Sequence, residues 1–292
     1  MAQGREPRSG GALVFELDGL EVSGVSVGGV ASCVDLPGLK VCVDLGVILD
    51  RTVARDVVLI THAHADHLGS LVQHVAQRGL RGLPAATYVV PPGIEEDVEA
   101  LLDVWRRLDG GELAAKIHPL PPGEALRLRP DLQVRPFATA HRVPSQGYFF
   151  ERVGKRLADS LTDASREEIR ALREAGETVH QVVHEPLLAI TGDTSIDGLR
   201  NHPEVMAAPR LIVEATFLDS RVTAESAARF GHIHLDELAA LADQLTCRHL
   251  LINHVSARHG PSEARRLVAE RLPAELAART QVMVSRIRPS AD

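Results

Sequence analysis

The chain predicts an α/β fold in which two sheets pack face to face with helices on their outer sides. Three features of the sequence carry that expectation. Its first third reads as short apolar runs broken by glycines. The remainder mixes further short apolar runs with stretches of helical spacing. Histidines and aspartates recur where apolar runs stop, the place where sheet proteins build sites on rigid supports.

In order along the chain, strands are expected over 12–17, 20–27, 32–36 and 39–45, then a buried strand over 57–60. Ile94, Val98, Leu101, Leu102, Trp105 and Leu108 fall on one helical face. Strands follow over 132–139 and 148–153. Residues 152–183 interrupt the pattern with mixed charge and read as a short inserted arm. The arm holds one helix, announced by the capping box Ser165-x-x-Glu168 and stopped at Gly176. Strands over 187–191 and 211–215 come next, then a helix carrying Leu235, Leu238, Leu241, Ala242 and Leu245, and a strand over 250–253. The organisation expected is a disordered tail over 1–11 and one domain over 12–292.

Composition narrows the function. The 292 residues, 45% of them hydrophobic, suffice for a large core. A net charge of −7 is the wrong sign for a generic nucleic-acid binder, and 3% aromatic content leaves few surfaces for base stacking. Cys33, Cys42 and Cys247 fit no zinc-ribbon spacing and read as small buried hydrophobes of a reducing cytoplasm. The polar N-terminus has no signal-peptide core, and no run approaches the ~20 apolar residues of a membrane span. Fourteen histidines point instead towards metal.

The segment Thr61-His-Ala-His-Ala-Asp-His67 follows the buried strand directly. Alternation sends His62, His64 and Asp66 to one side, and His67 turns towards a neighbouring position. Ala63 and Ala65 leave room between the donors. His141 after 137–140, Asp193 in Thr191-Gly-Asp-Thr194 and His254 after 250–253 supply three more donors at strand ends. Seven donors suffice for two ions, with Asp193 as the shared carboxylate, since one carboxylate spans ions ~3.5–4 Å apart.

These motifs resemble the metallo-β-lactamase superfamily, and within it the ribonuclease Z family of tRNA 3′-processing endonucleases, closest to its short plant form. The resemblance rests on His62-x-His64-x-Asp66-His67, on 137–141 with Ser145 and Tyr148, and on 191–194. It continues in Glu214-Ala-Thr-Phe217, Gly231-His232-Ile-His234 and His254-Val-Ser256-Ala-Arg258. It implies a four-layer αββα sandwich, two zinc ions per chain and a homodimer. It assigns His62, His64 and His141 to one ion, Asp66, His67 and His254 to the other, and Asp193 to both. His/Asp sites of this type also take manganese or iron. By the same resemblance Glu214 and His232 form a proton-donating pair, and Ser256 and Arg258 meet substrate phosphate; Ser145 is the third residue expected at the substrate. Asp66 is placed to take a proton from the attacking water as well as bind metal.

The chain departs from the family pattern in its arm, which is short and balanced, six basic against six acidic residues over 152–177. It also departs at His259, where the family commonly has Tyr. The activity expected is metal-dependent phosphodiester hydrolysis that removes the 3′ trailer of a tRNA precursor, in the cytoplasm and away from membranes. The alternative is a small ester substrate: a cyclic nucleotide, a phosphate or sulfate ester, or a lactone. A non-catalytic RNA-binding scaffold fits less well, because so many clustered polar donors without metal would be costly.

Overall fold

The structure, a computed structural model, describes residues 12–285, so the tail expected over 1–11 lies outside the described residues. The first sheet runs β1 (Leu13–Leu17), β2 (Leu20–Val27), β3 (Ala31–Leu36), β4 (Val41–Val43), β5 (Val57–Leu59), β6 (Thr87–Val90) and β7 (Lys116–Pro119), neighbours in that order. It is antiparallel up to β4 and parallel from there on. Its connections carry α1 (Ala65–Leu68), α2 (Leu71–Leu80) and α3 (Glu95–Asp109).

The second sheet contains β8 (Leu126–Arg129), β9 (Leu132–Ala138), β10 (Gln146–Leu157), β11 (His180–Ile190), β12 (Arg210–Glu214), β13 (His249–Asn253) and β14 (Thr280–Val282), again neighbours in chain order. Between β10 and β11 lies α4 (Arg166–Glu174). The later connections carry α5 (Ile196–Arg200), α6 (Pro203–Met206), α7 (Ala224–Phe230), α8 (Leu235–Ala240), α9 (Pro261–Arg271) and α10 (Ala274–Ala278).

Alternation along the strands explains the layering. Leu59, Val89, Ile212 and Leu251 join Phe15, Leu36, Tyr148 and Phe150 in one cluster between the two sheets. Their chain neighbours point outward. Val58, Ile60, Tyr88 and Val90 meet α2 and α3 through Leu71, Val75, Val98 and Leu102. Leu211, Val213, Leu250 and Ile252 meet the other helices through Leu235, Leu238, Ala264 and Leu267. Strands buried on both faces read as continuous apolar runs, which is why the runs at 57–60 and 250–253 were legible. The result is the four-layer αββα sandwich.

Several boundaries differ from expectation. β10 and β11 extend well past 153 and begin well before 187, pairing from Tyr148 with Ile190 out to Leu157 with His180. Residues 152–157 and 180–183 are therefore the outer half of a ribbon continuous with the sheet, and only the stretch between them is inserted. That stretch contains α4, with both halves of the expected capping box formed between Ser165 and Glu168. The helix expected to reach Leu245 stops at Ala240, and turns follow. Strands β6, β7, β8 and β14 and helices α2 and α9 had no counterpart in the sequence reading. All three cysteines are buried and free, and no helix among the described residues is long and apolar enough to cross a membrane.

Candidate metal centre

The donors sit at the carboxyl ends of strands, all along one edge of the sandwich. His62 follows β5, His141 follows β9, Asp193 follows β11, and His254 follows β13. Open α/β sheets bind ligands at that edge because the strand ends fix the backbone while the loops turn side chains towards one another.

The seven residues converge. His64 Nδ1 lies 3.0 Å from His62 Nε2 and 3.2 Å from His141 Nε2. Across the site His67 Nε2 lies 3.2 Å from His254 Nε2, and Asp66 Oδ2 is 3.4 Å and 3.2 Å from those nitrogens. Asp193 Oδ2 stands between the groups, 3.7 Å from His62 Nε2, 3.4 Å from His67 Nε2 and 3.3 Å from His254 Nε2. The donor atoms thus fall into one set of His62, His64, His141 and Asp193 and another of Asp66, His67 and His254, each close enough to hold one ion.

The outward nitrogens of four of these rings have their own partners. His67 Nδ1 donates to Asp44 Oδ2 at 2.7 Å, and His141 Nδ1 donates to the Gly231 carbonyl at 2.8 Å. His62 Nδ1 pairs with Thr61 Oγ1 at 3.1 Å, and His254 Nδ1 with Thr216 Oγ1 at 3.0 Å. Such contacts choose the tautomer and aim the inner nitrogen into the site. Asp66 is aimed likewise, accepting from the Gly29 amide at 2.9 Å. The backbone bends to serve the site: Asp44 and His254 adopt φ of 62° and 55°, a region non-glycine residues enter at some cost.

Electrostatics fit a cation. Burial, helped by the neighbouring His67, pushes the His62 imidazole down to about 2, and burial also lowers His64 and His141, so these rings are neutral donors. Burial opposes charge on His67 as well, but Asp193 and Asp44 overcome it and hold its pKa well above the usual value. Burial likewise opposes ionisation of Asp66 and Asp193, yet the surrounding imidazoles keep both carboxyls well below their ordinary range. Asp193 Oδ1 is buried with no hydrogen-bond partner among the described residues. A buried acceptor left bare, beside imidazole nitrogens that face one another, is a donor set fitted to metal.

Glu214 and His232 come together next to this cluster. Glu214 ends β12, fully buried, and accepts from His232 Nδ1 at 2.8 Å, the Thr194 amide at 2.8 Å, Thr216 Oγ1 at 2.6 Å and the Thr216 amide at 3.2 Å. The His232 ring stacks on His254 with centroids 5.4 Å apart, and its Nδ1 is 3.9 Å from Asp193 Oδ2. Burial works against charge on His232, but Glu214, through its charge and its hydrogen bond, outweighs burial with help from Asp193 and Asp66. The His232 pKa is lifted to about 9.

The residues expected at substrate are less gathered. Ser256 follows His254 after one residue and bridges to Gly28, and Arg258 is exposed with its amide on Ser256 Oγ at 3.4 Å. Ser145 accepts from Thr139 Oγ1 at 2.7 Å, and no hydrogen bond among the described residues joins it to Ser256 or Arg258. His259 is buried and accepts from Arg221, which also pairs with Asp219 and Glu263, so a cation already sits in the acidic cluster there. Of the histidines outside the cluster, His74 is a satisfied core residue between Tyr88 Oη and the Thr52 carbonyl, and His234 caps α8.

Sequence reasoning missed Asp44, Thr61 and Thr216. Asp44 accepts from the Thr61 amide at 2.8 Å and from Thr61 Oγ1, besides His67. The available signal was a lone aspartate directly after the apolar run that forms β4, the same position that Glu214 takes at the end of β12.

Residues 47–255 match the family model described as the Beta-lactamase superfamily domain. The chain is 37% identical over 255 residues to a chloroplastic tRNase Z of Arabidopsis thaliana, covering 87% of this chain and 72% of that one. It is 35% identical over 251 residues to a second Arabidopsis thaliana tRNase Z, covering 85% and 90%. Among solved structures, a metallo-β-lactamase fold protein of Bacillus subtilis shares the fold with TM-score 0.60 at 15% identity, covering 89% and 94%. With that fold, those relatives and a donor cluster for metal at the sheet edge, the chain belongs to the tRNase Z family of the β-lactamase superfamily, a family of metal-dependent hydrolases.

Proposed function

We propose that the chain hydrolyses the phosphodiester that joins the 3′ trailer to a tRNA precursor and leaves a 3′-hydroxyl, acting as a cytoplasmic homodimer with two zinc ions per chain. One observation carries the reading: a seven-residue donor cluster lies beside buried Glu214 paired with half-buried His232, whose Nδ1 is 3.9 Å from Asp193. His62, His64, His141 and Asp193 would hold one ion, and Asp66, His67 and His254 with Asp193 the other. Bound there, two divalent cations would neutralise phosphate charge and bring the pKa of a shared water from 15.7 towards ~7.

The chain's own residues supply the rest. Asp66, anchored by the Gly29 amide, accepts the proton of the attacking water. Attack at phosphorus breaks the bond to the ribose 3′-oxygen, a poor leaving group. His232 delivers the proton that oxygen needs, a contribution of ~10²–10⁴-fold for a general acid. Glu214 keeps His232 charged until the proton leaves. Ser256, Arg258 and Ser145 would bind the phosphates and ribose around the cut.

The charge balance of the arm favours a second reading, a small ester substrate in place of tRNA. Its charges pair internally, Arg156 with Asp159 at 3.1 Å and Arg170 with Glu174 at 2.8 Å, and offer no excess of cations to RNA. The deciding experiment sets a precursor tRNA with a 3′ trailer beside a small phosphodiester at low salt. Cleavage of the precursor to a 3′-hydroxyl end, lost in His64→Ala, is expected together with about two metal ions per chain. Hydrolysis of the small diester alone would overturn the tRNA reading.

A further inference from the structure

Of the nine aromatic residues, six are buried in the core: Phe15, Tyr88, Phe137, Tyr148, Phe149 and Phe150. Only Trp105 and Phe230 are strongly exposed, at 45% and 47%. A single exposed ring needs no explanation, but Phe230 belongs to a continuous aromatic run. Its ring centroid lies 6.3 Å from that of half-buried Phe217, which lies 6.1 Å from His232, which stacks at 5.4 Å on His254.

The run is rigidly mounted. Phe217 sits in a bridge with His234, and its carbonyl accepts from the Leu235 amide at 2.8 Å. Phe230 ends α7, and Gly231, at φ 77°, reverses the chain so that the His232 amide bonds back to the Ala227 carbonyl at 3.0 Å. A side chain at Gly231 would also press on His141, with Cβ 2.6 Å from its Nδ1. Phe230, Phe217 and the proton donor therefore move as one piece.

We propose that Phe230 and Phe217 form a stacking platform for a nucleobase, that of the nucleotide whose 3′-oxygen leaves, the 3′-terminal nucleotide of the processed tRNA. The assignment rests on the function proposed above. A 3′-hydroxyl product requires the phosphorus–O3′ bond to break, with water's oxygen joining phosphorus and the proton from His232 going to O3′. The nucleotide bearing that oxygen must then sit on the His232 side of the site, which is the side the two rings extend. Stacking needs no base identity, so the platform positions any unpaired base and does not read it.

The test compares cleavage of a precursor tRNA with that of the same RNA carrying an abasic ribose at the nucleotide immediately 5′ to the cut. Phe230→Ala should lower kcat/KM on the intact precursor roughly 5- to 150-fold, mainly through KM, the range for losing one base–aromatic stack. On the abasic RNA, Phe230→Ala and the unsubstituted protein should be equal within about twofold, and Phe230→Tyr should restore processing of the intact precursor. An equal loss on both RNAs would mean a structural role and overturn the platform, as would full activity of Phe230→Ala on the intact precursor. If the unsubstituted protein cleaves neither RNA but hydrolyses a small diester, the function itself fails and the platform with it.

Discussion

Replacing Glu214 by Gln removes the charge that holds His232 in its protonated form while keeping the side chain's shape. His232 is lifted from an ordinary 6.5 to about 9, against the downward push of burial, and Glu214 is the largest of the groups lifting it. At 1.36 kcal/mol per unit, the environment favours the charged ring by ~3 kcal/mol, with Glu214 the largest favourable contribution. A general acid works only while protonated, so activity is present below its pKa and lost as pH rises through it. The falling limb of the kcat profile should lie at least one unit lower in Glu214→Gln than in the unsubstituted protein. The variant should then be roughly tenfold slower or worse at pH values above both falling limbs and nearly unaffected well below them. Single-turnover cleavage of a precursor tRNA across pH 5.5–9.5 measures this. A His232→Ala background supplies the control: there, Glu214→Gln should cost under about threefold, because residues acting as one unit do not add. A uniform drop at every pH, with the falling limb unmoved, would refute the pairing and leave Glu214 as a structural acceptor for Thr194 and Thr216.

Three further outcomes follow from the geometry. Asp44→Asn removes the carboxylate behind His67 and should weaken one of two metal sites 10- to 100-fold, seen as about one ion per chain after dialysis against a weak chelator. Gly46→Ala would drive its Cβ into the Asp66 carbonyl and to 2.7 Å from the Ser32 amide; backbone atoms cannot swing aside, so Tm should fall by roughly 5–10 °C with metal content lost in parallel. Stripping metal with a strong chelator should lower Tm in proportion to a linkage of ~4 kcal/mol at a thousandfold excess over Kd, and zinc should restore it; an unchanged melting curve would show that the donor cluster is filled by nothing.

How far the sequence speaks depends on the range of the interaction. The donors His62, His64, Asp66 and His67 were legible because four of them crowd into six residues directly after a buried apolar run, although they stand on the loop after β5 and on α1, where a strand's alternation does not apply. Strands β5, β12 and β13 were legible because both their faces are buried. β7 and β8 were not, since Lys116–Pro119 and Leu126–Arg129 lie at sheet edges and are largely half-buried, so their hydrophobic signal is weak. The outer half of β10 was missed for the same reason: from Arg152 to Leu157 the ribbon has water on its faces and carries polar residues. Asp44 escaped because its partner His67 is 23 positions away and nothing local marks the pairing.

The structure also changes what the acidic composition means. Asp44, Asp66, Asp193 and Glu214 all lie in or directly behind the site, so part of the net charge of −7 is concentrated where phosphate must enter. Left alone, that cluster would repel RNA. Two of the carboxylates are handled by the same device. Thr61 donates its hydroxyl to Asp44 and accepts from His62, and Thr216 donates its hydroxyl to Glu214 and accepts from His254. In each case a buried carboxylate orients a donor imidazole through a hydroxyl and contacts a second imidazole directly, His67 for Asp44 and His232 for Glu214. The two arrangements differ in one respect that separates their roles. His67 turns its other nitrogen towards Asp66 and Asp193 and completes a cation site, whereas His232 stands at the margin of the cluster, next to Phe217. The same chemical pair therefore stands behind a residue inside the donor cluster at one position and behind one at its margin at the other, which fits the ligand and proton-donor roles proposed for His67 and His232.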